Sequence, residues 1–160
     1  MTHNDASWTL RAITPADEAV LFEIYASARR DELAQVPWDD AQKRAFLTFQ
    51  FDAQHRHYRQ AFADADFCLV LCDGQPAGRL YVDRRADEIR ILDVALLPAF
   101  QGRGLGRAVL ADLLQEARTA GKPVRLYVEA YQHRARSLLA SLGFEVVEQH
   151  GLSALMAWTP

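Results

Sequence analysis

"LLPAFQGRGLGRAVL", Leu96–Leu110, joins the end of an apolar strand to the first turns of an amphipathic helix through a proline and three glycines. Glycine at a helix mouth lowers helix propensity by roughly 1 kcal/mol relative to alanine, so Gly102, Gly104 and Gly106 must answer to something besides helix stability. One reading is a tight turn that needs positive φ. The other is an anion site, because amides at a helix N-terminus point outward and glycine lets a phosphate approach them.

The flanking sequence gives this stretch a place in a fold. Before it, "EIRILDVAL", Glu88–Leu96, is rich in β-formers and stops at Leu97–Pro98. After it, Leu105, Val109, Leu110, Leu113 and Leu114 recur at helical spacing, which predicts a helix over Arg103–Ala120 with Gly121 as its stop and Pro123 behind. "VRLYV", Val124–Val128, is a strand, and a strand–helix–strand crossover makes it a candidate parallel neighbour of Glu88–Leu96. "HRARSLLASLGF" predicts a short helix ending at Gly143, and "FEVVEQ" with "LSALMAW" a closing hairpin around Gly151, whose second strand is a possible dimer edge.

Upstream, "FCLVLCDGQPAGRLYVDRR" reads as two strands joined at Asp73–Gly74, a favoured hairpin pair. With Glu88–Leu96 they should form an antiparallel meander. Alternation from Trp8 to Ile13 predicts an opening strand. Thr14, Pro15 and Asp17 then start a helix of about residues 15–31, and "PWDD" starts a second over Ala41–Ala63, broken once near Phe51. That helix carries Gln42, Phe46, Gln50 and Gln54 at four-residue steps along one face.

The order is strand, two helices, three antiparallel strands, helix, strand, helix, two strands. It predicts one α/β (α+β) domain over residues 1–160, with a mixed, mostly antiparallel sheet of about seven strands flanked by about four helices. The chain has 160 residues, 50% hydrophobic and 24% charged, with no apolar run near the roughly 20 residues a membrane helix needs. A net charge of −3 and no long basic block argue against nucleic acid or an anionic membrane as partner. "MTHNDASWTLRAI" lacks a basic region followed by an apolar core, so no leader and a cytoplasmic location are expected. Cys68 and Cys72, on one face of a strand about 13 Å apart, are too distant for a mutual disulfide.

Other phosphate-binding motifs fail on spacing. A dinucleotide fingerprint wants a glycine where Arg107 stands, and its acidic partner on the next strand is missing; a P-loop needs Gly-Lys-Ser/Thr. "QGRGLG", Gln101–Gly106, after a strand with proline beyond its end, instead resembles the pyrophosphate motif of the GNAT superfamily of acetyl-CoA-dependent N-acetyltransferases. "VRLYVEAYQHRARSLLASLGF" resembles that family's next strand and helix, which close on Leu-Gly-Phe, here Leu142, Gly143 and Phe144.

The resemblance implies a GNAT-like fold with acetyl-CoA as co-substrate, no metal, and a primary amine on a small molecule or peptide as acceptor. It implies that the backbone of Val94, Ala95 and Leu96 holds the pantetheine arm and that the amides of Gln101, Gly102, Arg103, Gly104, Leu105 and Gly106 cradle the pyrophosphate, helped by the charge of Arg103 or Arg107. A polyanion can bind an acidic protein if the field is local. Gln132 stands where the family has an asparagine and can keep an amide contact to the cofactor. Leu139 stands where a tyrosine often serves as general acid, and it cannot donate a proton; Tyr131 or Tyr127 could substitute.

Transfer to an amine needs a proton acceptor, because only about 0.04% of a lysine-like amine is free base at neutral pH. Asp93 is the first candidate: by alternation it shares a face with Ile89, Ile91 and Ala95, an apolar setting that makes a carboxylate more basic. Glu129, at the end of the next strand, is the second. The N–H of Leu96 is a candidate oxyanion donor. A thiol leaving group, near pKa ~8.5 in the cysteine reference, can depart and take its proton from water.

The acceptor site should be built by the first two helices, where Tyr25, Arg29, Trp38, Gln50, His57 and Tyr58 are candidate lining residues. The acceptor itself is not readable. The alternative function is a catalytically silent CoA-binding or interaction module, which Leu139 encourages.

Overall fold

The computed structural model describes residues 7–160; the first six, on which the expected lack of a leader partly rests, lie outside the described residues. Seven strands and four α-helices follow in the expected order: β1 (Trp8–Ala12), α1 (Glu18–Ala34), α2 (Asp40–Ala61), β2 (Asp66–Cys72), β3 (Gln75–Arg84), β4 (Ile89–Leu96), α3 (Leu105–Ala120), β5 (Val124–Glu129), α4 (His133–Ser141), β6 (Glu145–His150) and β7 (Ser153–Trp158). The strands form one sheet in the order β1-β2-β3-β4-β5-β7-β6. It is mostly antiparallel, with β4 and β5 as the parallel pair the crossover required. The chain divides into two compact units, residues up to Leu80 with Ala95–Phe100, and Tyr81–Val94 with Gln101–Pro160.

In the first unit, Arg11 on β1 reaches the carboxylate of Asp17 at 2.9 and 3.0 Å, and the Thr14 N–H donates to the same carboxylate at 2.7 Å. This knot holds Pro15–Asp17 as a turn of 3-10 helix, so the α-helix begins at Glu18, later than expected. Asp39 caps α2 by accepting from the Gln42 N–H at 2.7 Å, while the Gln42 side chain accepts from the Asp39 N–H at 3.0 Å. Gln42 is therefore spent on the cap and does not extend the glutamine face.

No break occurs near Phe51. The helix runs through it because Phe51 is buried, edge-on to Phe22 at 5.7 Å and tilted on Tyr25 at 5.8 Å, and this packing outweighs the modest helix propensity of an aromatic. The β2–β3 turn forms as expected, with Asp73 and Gly74 both at positive φ.

The core of the second unit is built from Ile89 and Ile91 of β4, the apolar stripe of α3, alternate residues of β5, and Leu139 of α4. The closing hairpin turns at Gly151 as expected, but its order corrects one expectation. β7, the strand of "LSALMAW", lies between β5 and β6, with Ala154, Leu155 and Met156 buried, so the sheet edge belongs to β6. Neither cysteine forms a disulfide; Cys72 is buried and Cys68 half-buried.

Candidate active site

Two of the three loop glycines adopt conformations that side chains disfavour. Gly102 has φ +73° and Gly104 φ +80°, and a Cβ at either would meet nothing within 4 Å. Backbone conformation, not crowding, is what demands glycine there. Gly104 is the N-cap of α3 and has no side chain to offer, so the first-turn amides of that helix receive no capping bond from their N-cap residue. Gly106 lies in that first turn, beside the buried Leu105.

The surroundings add positive charge. Arg134 Nη1 donates to the Gln101 side-chain oxygen at 3.0 Å and so ties the start of α4 to the loop. Arg107 Nη2 donates to Ser141 Oγ at 2.7 Å and lies exposed on the first turn of α3, and Arg103 is exposed in the loop itself. Lys122 lies elsewhere, its Nζ donating to the Arg85 carbonyl at 2.7 Å. First-turn amides, a helix dipole and these guanidiniums form a donor set whose chemistry fits a pyrophosphate.

β4 and β5 pair at Ile89↔Val124 and Arg90↔Arg125 and then part, while β5 stays paired with β7 through Glu129↔Ser153. Val94 therefore keeps a backbone edge that β5 does not take. Asp93, one residue earlier, is half-buried and follows the buried Ile89 and Ile91 on its face of the strand.

Glu129 is more engaged than its sequence position implied: Ser153 Oγ donates to its Oε1 at 2.6 Å, which holds the carboxylate to β7. Gln132 is also committed locally, its side-chain oxygen accepting from the Glu129 N–H at 2.9 Å. Its amide nitrogen is the half left to face a ligand. Leu139 is 1% exposed, a core residue rather than a lining one. Tyr127 and Tyr131 are surface aromatics, the former under the Arg90 guanidinium at 5.6 Å.

Ala95 and Leu96 lie in the first unit, where a close approach fixes their position. A Cβ on Gly78 of β3 would fall 2.2 Å from the Ala95 carbonyl and 2.7 Å from Leu96 Cδ2, so only glycine fits. The Leu97 N–H donates to the Ala77 carbonyl at 2.8 Å just beyond. The end of β4 is thereby seated tightly against β3.

Also in the first unit, three of the candidate acceptor residues meet. Gln50 Oε1 accepts from the Tyr25 hydroxyl at 3.1 Å and from Arg29 Nη1 at 3.2 Å, and Arg29 stands 5.0 Å over the Tyr25 ring. The structure adds Arg79, buried on β3 at 3% exposure, which donates to Gln54 Oε1 at 2.9 Å and sits 5.9 Å from the same ring. The signal for it was an arginine inside the apolar "AGRLYV". The other candidates go elsewhere: Trp38 packs edge-on against Phe46, and His57 and Tyr58 pack against Phe62. Burial holds His55, stacked on Phe51, below the ordinary histidine pKa, with Arg59 adding to the effect.

The family model "Acetyltransferase (GNAT) family" matches residues 21–144, and the chain belongs to that family. A curated relative, the mycothiol acetyltransferase of Nocardiopsis dassonvillei, is 38% identical over 89 residues, 55% of this chain and 23% of that protein. The mycothiol acetyltransferase of Thermobifida fusca matches at 39% over 79 residues. The matched stretch spans less than a quarter of the length of either relative.

Among solved structures, the fold is similar to paia N-acetyltransferase from Thermoplasma acidophilum in complex with coenzyme A. The TM-score is 0.74 at 18% identity, covering 96% of this chain and 99% of that one. It is also similar to yncA from Salmonella typhimurium with its cofactor acetyl-CoA, with a TM-score of 0.59 at 26% identity, covering 96% and 94%. Among the described residues no helix is long and apolar enough to cross a membrane, and no group of three or more His, Cys, Asp or Glu could hold a metal ion.

Proposed function

We propose that this protein is a single-domain, cytoplasmic N-acetyltransferase that moves an acetyl group from acetyl-CoA to a primary amine by direct attack. The observation that carries the reading is the loop at Gly102 and Gly104, whose positive φ angles lead into the N-terminus of α3 with Arg103 and Arg107 exposed on the loop and first turn. Membership of the GNAT family supports it, as do the acetyl-CoA and coenzyme A held by similar structures.

In this reading Gln101–Gly106, with Arg103 and Arg107, hold the pyrophosphate, Gln132 adds an amide contact, and the backbone of Val94, Ala95 and Leu96 holds the pantetheine. Asp93, or Glu129 in second place, takes the proton of the attacking amine. The amine nitrogen bonds to the thioester carbonyl carbon while the Leu96 N–H donates to the oxygen that gains charge. The carbon–sulfur bond then breaks, and the thiolate takes its proton from water, a step that does not need the hydroxyl absent at Leu139. Tyr25, Arg29 and Gln50, joined by Arg79 and Gln54, line the acceptor side.

Two measurements test this. Calorimetry should register acetyl-CoA binding to the pure protein; no binding at millimolar ligand would overturn the reading. A thiol-release screen over small amines, amino acids, aminoglycosides and peptides with free N-termini should then find an acceptor. Binding without release on any of them would favour the silent module that Leu139 suggests.

A further inference from the structure

Two guanidiniums of the first unit approach one aromatic ring. Arg29, one turn along α1, lies 5.0 Å over Tyr25, and Arg79 on β3 lies 5.9 Å from the same ring. Tyr25 and Arg79 are buried, at 4% and 3% exposure, whereas Arg29 and Gln50 are half-buried and open to solvent on one side. In the contacts that join the group, donors meet neutral oxygens. Gln50 Oε1 accepts from the Tyr25 hydroxyl at 3.1 Å and from Arg29 Nη1 at 3.2 Å, and Gln54 Oε1, one turn on, accepts from Arg79 Nη2 at 2.9 Å. Glu32 comes no nearer to Arg29 than 3.6 Å, from an exposed side chain on the same helix, and an ion pair of that kind contributes little.

A neutral amide oxygen is a weak acceptor for a guanidinium. Hydrogen bonds from a cation to a carboxylate are roughly twice as strong as those between neutral groups, and two positive charges at a half-buried site are screened less than at the surface. A carboxylate arriving from the open side would displace Gln50 Oε1 and take both of its bonds, from the Tyr25 hydroxyl and from Arg29, with the charge of Arg79 close to the same ring. We propose that the acceptor carries a carboxylate besides its amine, as an amino acid or a short peptide does, and that Tyr25 and Arg29 bind it. That the carboxylate belongs to the acceptor rests on the acetyl-transfer reading; that these donors bind a carboxylate does not. The same two guanidiniums repel an acceptor whose second group is another cation, so the site selects as well as binds.

Binding is tested on the full chain without acetyl-CoA, by titrating N-acetylalanine and its neutral amide while amide shifts of α1 and α2 are followed. The carboxylate should saturate with a dissociation constant on the order of 1–10 mM and perturb residues around Tyr25, Arg29 and Gln50, and the neutral amide should bind about fivefold more weakly or worse. Gln50→Glu, which sets a resident carboxylate on the same donors, should weaken the carboxylate about tenfold and the neutral amide far less. Arg29→Gln should bring the two ligands together, and Arg29→Lys, which keeps the charge but loses the planar fork, should fall between. Transfer is tested separately, by thiol release from acetyl-CoA with glycylalanine and glycylalaninamide, whose amines lie a residue away from the group that differs. Here kcat/KM should favour the carboxylate about tenfold, and Arg29→Gln should move that ratio toward one. Release with no amine at all would remove the acetyl-transfer reading and, with it, the acceptor, while the titration still decides whether the site binds a carboxylate. Equal affinity for the two ligands, shifts confined to other elements, equal kcat/KM on the two dipeptides, or a ratio that Gln50→Glu and Arg29→Gln leave unchanged would overturn the proposal.

Discussion

Asp93 and Asp17 are two aspartates whose placement leads to opposite kinds of test. Asp93 stands half-buried where β4 has left β5, beside the backbone edge expected to take the pantetheine. Asp93→Asn keeps the shape and removes the proton acceptor, so turnover should fall on the order of 10²–10⁴-fold while acetyl-CoA affinity in calorimetry stays within about twofold. An unchanged rate would pass the role to Glu129, whose hydrogen bond from Ser153 makes it the less available base. Asp17 serves the fold instead, and the hydrogen bonds from Arg11, with that from the Thr14 N–H, lower its pKa to about 2. A carboxylate lowered in the fold contributes stability above its unfolded value near 4 and loses it as pH falls toward 2. Asp17→Asn should therefore lower the melting temperature at pH 7, and the gap to wild type should close between about pH 4 and 2.

Helices and strands with a local cause were readable from sequence, and those settled by distant partners were not. Asp39 acts through a side chain on an amide three residues on, and Gly121 and the Asp73–Gly74 turn act through their own backbone, so their positions followed from local residue type alone. The unbroken α2 did not, because Phe51 owes its helical state to Phe22 and Tyr25 across the pair of helices. Nor did the sheet edge. "EVVEQH" and "SALMAW" both alternate tolerably, and only pairing with β5 puts β7 inside and leaves Val146 and Val147 exposed on β6. The same contrast runs through the candidate site: the glycine loop is legible because φ is a local property, whereas Arg79 joins Tyr25 and Gln54 only when β3 meets α2. Phe51→Ala should accordingly cost about 3–5 kcal/mol in denaturant unfolding, the loss expected for a buried aromatic that bridges two helices. A loss below about 1 kcal/mol would mean that the helix pair closes without it.

An acidic chain that binds a polyanion must concentrate its cations, and the distribution of charge shows where. Against a net charge of −3, Arg103, Arg107 and Arg134 belong to the glycine loop and the helices beginning beside it, while Arg85, Arg90 and Arg125 are drawn to the buried Glu88. The second group is largely neutralised by Glu88 and Asp83, so the loop arginines should supply most of the attraction felt by coenzyme A. Arg107 now bonds a neutral serine and Arg134 a neutral amide, so either can turn to a phosphate without breaking an ion pair in those contacts. Arg107→Ala and Arg134→Ala should each weaken acetyl-CoA binding about five- to tenfold, less than a buried charge-assisted bond because both groups are exposed. Turnover at saturating acetyl-CoA should hardly change, since these contacts hold the cofactor equally in the ground and transition states. The salt dependence of affinity should flatten in each variant, as one screened attraction is removed. If Arg85→Ala weakened affinity as much as Arg107→Ala, the field would be spread over the whole molecule, and the local account of how an acidic protein holds a polyanion would fail.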